Sequence, residues 1–311
     1  MNSLFTDEFS RVLAMGVGSL GCLAAKLGVE NREECTGVAW SAAHVNSSEL
    51  IATGLEQKLF LQATGAFAVR NLARSLHENP FLDNLSHGRD AVILCGELSD
   101  DLTPPLIDAL SVVLRERRVP VFALLLEPFS PNGEVDVNVL ETARERLSAS
   151  VPCAVFLNAG LETVSAGIAV KRLRKMAAER LMNAAECLAA PLNAHNEHAP
   201  RLLALRGRRR AAFCAAPNAL AAFELALRSF DESARECIDA AILQNSTELS
   251  FREMSAIQRR MNEAGVSAAL ASSTKPPLSG RAECLLLSGN KGAANVVRLD
   301  AAMSGAGASF H

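Results

Sequence analysis

The 311-residue chain lacks most of the marks by which a sequence declares its work. Its longest apolar runs, such as VPVFALLL, fall far short of the roughly 18 residues a membrane span requires. The amino end, MNSLFTDEFSRVLAMG, carries Asp7 and Glu8 early and has no basic-then-apolar order, so no secretory signal is read there. A net charge of −3 gives no general electrostatic reason to expect nucleic acid or an anionic membrane as partner. The eight cysteines never form CxxC and sit mostly among Ala, Leu and Val, which predicts reduced core thiols in a cytoplasmic protein. No G-x-S-x-G occurs, and Ser19, Ser99 and Cys95 make no convincing triad with any histidine, which argues against hydrolase chemistry. There is no internal repeat.

What is present is the composition of a globular protein: 49% hydrophobic and 21% charged residues. A chain of this length buries about three-quarters of its unfolded surface. SRVLAMGVGSLGCLAAKLG reads as strand, glycine turn and helix; CTGVAWSA and QKLFLQ are two further short strands. GAFAVRNLARSLHENPFLDNL is helical by its Phe67, Leu72 and Leu76, with Pro80 marking an end. DAVILCG, PVFALLLEPF and PCAVFLNAG are continuous apolar runs suited to strands buried on both faces. Helices lie between them, PPLIDALSVVLRERRV and VDVNVLETARERLSAS, the second with Val135, Val139, Ala143 and Leu147 at four-residue spacing. Alternation of this kind predicts an α/β fold with a Rossmann-like, doubly wound parallel sheet.

The character then changes. Glu162 to Leu188 carries no proline and no strand signal, and is predicted as one helix of about seven turns. Ile168, Leu173, Met176 and Leu181 contribute to its apolar face, and Lys171, Arg172, Arg174 and Lys175 to the solvated one. Beyond it, DAAILQNS, SFREMSAIQRRMNEAG, VSAALASSTK and RAECLLLSG read as strand, helix, strand, strand, with Ser250 and Glu253 spaced as a capping box. The expected organisation is a nucleotide-binding-type domain over 1–161, a linking helix over 162–190, a smaller α+β domain over 191–300 and a disordered tail over 301–311.

This order, a Rossmann-like domain, a long central helix and a second α+β domain, resembles the FtsZ/tubulin superfamily. Four segments carry the resemblance over about residues 10–290: VLAMGVGSLGCLAAKLG, VPVFALLLEPFSPNG, AVFLNAG and AAILQNSTELSFREMSAIQRRMNEAGVSAALASS. It implies a cytoskeletal protein whose subunits stack head to tail, with GTP and Mg²⁺ as the cofactors of an active member.

The stations of such a nucleotide site survive unequally. Gly16, Gly18, Ser19 and Gly21 form the G-V-G-S-L-G that would let backbone amides approach a phosphate, although glycines here also serve strand–helix packing. At the second station, where the family has a glycine-threonine loop, only Gly96 remains, followed by Glu97-Leu98-Ser99-Asp100-Asp101-Leu102-Thr103. A unit charge pair at about 6 Å costs roughly 3 kcal/mol at an effective dielectric of 20, so these acids oppose a triphosphate unless Mg²⁺ bridges them. A simpler role is that Asp100, Asp101 or Thr103 caps the next helix. The ribose-holding Glu and Arg of the family fall on Asn132 and Asp136, and its Asn-Thr-Asp strand end on Ser41-Ala42-Ala43. After the long helix Asn193 matches, but His195 and His198 stand near the places of the hydrolytic acids, with Glu197 the one carboxylate.

The expectation is therefore a degenerate FtsZ-like protein with no cofactor, its five glycine-loop residues vestigial. It would act by assembling with itself or with another FtsZ-like protein, touching membranes only indirectly. Acidic Glu97, Asp100 and Asp101 would then meet basic residues such as Arg201 or Arg206 of a neighbour. The alternative is an active FtsZ-like GTPase forming nucleotide-dependent filaments. A Rossmann oxidoreductase would need an acid after the second strand, and Glu49 lies too far along. His195-x-x-His198 is read as a solvated loop between Pro191 and Pro200 rather than a metal site, and Arg206 to Arg210 as an exposed turn or the rim of an intersubunit contact. The tail shows no FtsZ-type adaptor peptide, which weakens a direct division-ring role.

Overall fold

Continuous apolar strands need cover on both faces, and the helices between them supply it. A computed structural model describes residues 11–31, 38–61, 69–128, 137–158, 168–193, 198–273 and 281–289. From the amino end come β1 (Val12–Val17), α1 (Gly18–Glu30), β2 (Val38–His44), α2 (Ser47–Ala52), β3 (Lys58–Phe60), α3 (Val69–His77) and α4 (Pro80–Ser86). Next are β4 (Ala91–Glu97), α5 (Thr103–Glu116), β5 (Val121–Leu126), α6 (Val137–Ser150), β6 (Cys153–Leu157) and α7 (Val170–Asn193). The chain continues with α8 (Ala199–Leu203), β7 (Gly207–Ala216), α9 (Ala219–Arg228), α10 (Glu232–Arg235), β8 (Ile238–Gln244), α11 (Phe251–Glu263), β9 (Ala269–Ser273) and β10 (Ala282–Gly289).

The strands form one ten-stranded sheet in the order β3-β2-β1-β4-β5-β6-β7-β10-β8-β9. From β3 to β7 every pairing is parallel; β10 lies antiparallel between β7 and β8, and β9 is parallel to β8. The predicted α/β sheet is thus present. Strand order reverses between β1 and β4, and a crevice at such a reversal is where open α/β sheets hold ligands. That point decides where a site is sought.

One face of the sheet is covered by α1 and α7, the other by α3 to α6. On the first, Leu20, Ala24, Leu181 and Leu188 join Val12, Ile93 and Leu124 in one core. On the second, Leu72, Leu76, Leu106, Leu110 and Leu147 pack on Leu13, Leu94 and Ala123. A third core lies under α9 and α11, with Phe223, Ile257 and Met261 against Ala241, Cys284 and Leu286. The buried indole of Trp40 donates from Nε1 to Glu186 Oε1 at 2.7 Å and so pins β2 to the middle of α7.

Several expectations change in detail. Pro80 follows the end of α3, as predicted, but it also opens α4, where its fixed φ suits a first helical position. In α6 it is Leu140, not Val139, that turns inward; Val139 is 57% exposed. Val135 and Phe67 lie outside the described residues. Helix α7 runs on to Asn193 with Pro191 inside its last turn, because burial of Pro191 and Leu192 outweighs one lost backbone bond. The basic run is no exposed turn. Arg208, Arg209 and Arg210 are strand residues of β7, paired with Glu141, Asp239 and Asp231. The capping box forms as expected, with the Glu253 carboxylate accepting from Ser250 N at 2.9 Å and the Ser250 hydroxyl accepting from Glu253 N. The tail lies outside the described residues.

Candidate functional site

The carboxyl ends of β1 and β4 meet at the reversal point, and each leads into a loop at the start of a helix. On β1, the first and last glycines are packing devices. A side chain begun at Gly16 would run into Gly21 O and come within 3.0 Å of Ala25 Cβ; one begun at Gly21 would strike Cys95 O. These two positions let α1 lie directly on the sheet. Gly18 differs: its φ of +73° is a left-handed backbone that a Cβ disfavours, and it starts α1 with no side-chain cap.

The space in front of Gly18 is occupied by the chain itself. A Cβ there would collide with Thr103 Oγ1 and lie 2.8 Å from Asp100 Oδ2. A Cβ at Gly96 would meet Thr103 Cγ2 and lie 3.1 Å from Val17 O. Thr103 therefore wedges between the two glycine positions, and the Asp100 carboxylate stands at the amino end of α1, where a helix favours negative charge.

Asp100 is held by its own loop. Its Oδ1 accepts from Leu102 N at 3.0 Å, and its Oδ2 accepts from the Thr103 hydroxyl at 2.7 Å. Thr103 is 1% exposed, so that hydroxyl depends on the carboxylate. The expected cap of α5 is thus realised differently. The N-cap residue is Leu102, with no side-chain cap bond, and Asp100 closes the turn just before it. Ser99 donates to Glu97 Oε1 at 2.6 Å, while Leu98 is buried and Leu102 remains 42% exposed.

Ser19 sits beside a residue that sequence reading passed over. Its Oγ lies 3.3 Å from His44 Nε2, and His44 Nδ1 accepts from Asn46 N at 2.8 Å, which selects the tautomer with the proton on Nε2. His44 ends β2 and is 7% exposed. Accordingly Ser41, Ala42 and Ala43 lie inside the strand, which runs on through His44, and the loop begins at Val45; placing the strand end at Ser41–Ala43 is corrected on that ground. The one signal was a histidine closing an apolar run. Gly16, Gly18, Ser19, Gly21 and Gly96 are thus brought together, with Thr103, Asp100 and His44 among them. Asn132, Asp136, His195 and Glu197 lie outside the described residues, and His198 immediately precedes α8.

The opposite, amino-terminal end of the parallel strands has another character. A cavity of about 500 Å³ lies under β5 and β6 and is lined by Arg115, Arg118 and Arg206, with no Asp or Glu among its lining residues. Arg115 donates to Ser150 O at 3.0 Å, and Arg206 to Leu203 O and Leu205 O at 2.6 and 2.8 Å. Arg118, at φ 61°, is the one non-glycine among the described residues with a left-handed backbone. Away from this cavity, Arg208 bridges to Glu141 at 2.6 Å and lies over the Phe156 ring, and Arg144 pairs with Glu141 and with Glu127, which follows the carboxyl end of β5. These guanidiniums, Arg208 foremost, hold the Glu141 carboxyl down at about 2.

The seven described cysteines carry free thiols, in keeping with the reduced reading, and burial pushes Cys22 and Cys153 up to about 12. Among the described residues no helix is long and apolar enough to cross a membrane.

No protein-family model and no curated protein matches the chain. Solved structures do. The empty FtsZ dimer of M. jannaschii is similar at a TM-score of 0.73 and 16% identity, covering 91% of this chain and 89% of its own. The GTPγS-bound protofilament of CetZ2 from Haloferax volcanii follows at 0.69 and 17%, covering 90% and 93%. The GDP-bound CetZ1 monomer from Haloferax volcanii gives 0.66 and 16%, covering 93% and 97%.

Proposed function

From an FtsZ/tubulin-like fold as premise, we propose that this protein is a cytoplasmic cytoskeletal or scaffold element. It works by assembling with itself or with another FtsZ-like protein, and GTP binding and hydrolysis have been lost. The observation that carries this reading is the filled space between Gly18 and Gly96. Where a triphosphate would need bare amides, the Thr103 side chain and the Asp100 carboxylate already stand. A phosphate entering there would have to break the Asp100–Thr103 bond and face a carboxylate at close range, a repulsion of roughly 3 kcal/mol at 6 Å and a dielectric of 20.

Assembly as the remaining activity draws on two further facts. Similar structures include an FtsZ dimer and a CetZ2 protofilament. In this chain Glu97 ends β4 and Asp100 and Asp101 follow it, while the arginine-lined cavity lies at the amino ends of β5 and β6. Unlike patches at opposite ends of one molecule suit a heterologous contact that repeats.

Equilibrium dialysis of labelled GTP with Mg²⁺ tests the reading. The expected result is no saturable binding below about 1 mM, where less than about 4 kcal/mol of affinity is available, and no phosphate release. Micromolar affinity with turnover would establish the alternative, an active FtsZ-like GTPase. That alternative draws on the uncapped start of α1 at Gly18.

A further inference from the structure

Helix α5 links two surfaces of opposite kind. At its amino end stands the loop Glu97–Leu102. It is acidic, yet it also exposes an apolar side chain: Leu102, 42% exposed, follows the exposed Asp101. An isolated exposed leucine is ordinary; this one belongs to a loop that also carries Glu97, Asp100 and Asp101.

At the carboxyl end of α5 lies the arginine-lined cavity. Its rim is Arg115, Arg118 and Arg206, and half-buried Val119, Leu203 and Leu205 give it an apolar lining. Arg115 and Arg206 are braced on backbone carbonyls. Arg118 has no side-chain hydrogen bond or ion pair among the described residues. Its left-handed backbone closes α5, with Arg118 N donating to Arg115 O at 2.8 Å and Val119 N to Leu114 O at 3.1 Å, and the residue stands exposed on the cavity rim. Excess positive charge over apolar contact area calls for an acidic segment with an apolar tip.

We propose that this cavity receives the Glu97–Leu102 loop of a second copy of the chain. Leu102 enters on Val119, Leu203 and Leu205, and the Asp101 and Glu97 carboxylates meet Arg118 and its neighbours Arg115 and Arg206. The proposal rests on the self-assembly reading above and gives it an address. Because β4 lies beside β5, the loop of one copy reaches the cavity of the next with a sideways offset of one or two strand spacings, about 5–10 Å. The knob and the pocket occupy opposite ends of α5, so the same step repeats from copy to copy and aligns the helix dipoles.

Two variants separate the surfaces: Leu102→Lys spoils the knob and leaves the cavity, and Arg118→Glu does the reverse. Both side chains are exposed, so fold is expected to persist, checked by circular dichroism and Trp40 fluorescence. Sedimentation velocity of the full chain at about 50 mM salt, where screening is weak, is the assay. The wild type is expected to form a concentration-dependent series of oligomers, and each variant to need at least about tenfold more protein. An equimolar mixture of the two variants should stop at the dimer, since only one competent knob and one competent cavity can meet. The reciprocal swap Asp101→Arg with Arg118→Asp in one chain should recover part of the assembly. Variants that assemble like the wild type overturn the address while leaving self-assembly intact. A wild type that stays monomeric at about 100 μM, with inorganic phosphate retained through Arg118, overturns both and gives the cavity to a small anion.

Discussion

Replacing Asp100 by alanine removes the acceptor on which the loop between β4 and α5 closes. Two hydrogen bonds disappear, from Leu102 N at 3.0 Å and from the Thr103 hydroxyl at 2.7 Å. They are unequal. Leu102 is exposed enough for its amide to find water, which limits that loss to about 0.5 kcal/mol. Thr103 is 1% exposed, and stranding its hydroxyl costs about 1–2 kcal/mol. The lost carboxylate at the start of α1 adds about 0.3–1 kcal/mol. The sum is a destabilisation of about 2–3.5 kcal/mol. Urea denaturation followed by Trp40 fluorescence measures it, since Trp40 is the chain's single tryptophan and is buried. Thr103→Val supplies the control: if the two side chains act as a unit, the double variant should be less damaged than the sum of the singles by about 1 kcal/mol. Strict additivity, or an Asp100→Ala cost below about 0.5 kcal/mol, would refute the closed-loop argument.

Gly28→Ala should destabilise by about 2–4 kcal/mol, because a Cβ there runs into the Trp40 indole, lying 2.8 Å from Cδ1, and the ring cannot retreat without loosening its bond to Glu186; denaturant titration reads the loss, with a red shift of Trp40 emission. Glu141 has a folded-state pKa of about 2, below its ordinary 4.5, so its stabilisation is complete above about pH 4.5 and fades as pH falls toward 2. Its side chain is 40% exposed, so screening limits Glu141→Gln to about 1 kcal/mol at pH 7. Thermal melts across pH should show the variant and wild type converging near pH 2.

Much of this fold was legible because local pattern and final environment agree. Val12–Val17, Ala91–Glu97 and Val121–Leu126 are apolar at nearly every position, and each is a strand with cover on both faces. Ser250 and Glu253 satisfy each other within one turn, so their spacing alone was enough. Failures came where a distant partner decides. Arg208 to Arg210 carry no strand signal, and they become strand residues because Glu141, Asp239 and Asp231 wait on other elements. Val139 and Leu140 compete for one inward position, and the register of α6 on the sheet chooses Leu140.

The candidate site divides the same way. G-V-G-S-L-G announced a glycine turn, and the acids after Gly96 announced an anomaly. No spacing rule, however, brings Thr103 against the distant Gly18, or His44 beside Ser19. That meeting follows from the parallel pairing of β1 with both β2 and β4, a property of the sheet rather than of any segment.

The most direct measurement is a crystal structure of the protein grown with saturating GTP and Mg²⁺. The account predicts Thr103 still bonded to Asp100 in front of Gly18, with no ordered nucleotide beside them. A triphosphate chain resolved between Gly18 and Gly96, with the Asp100 carboxylate swung away, would contradict it.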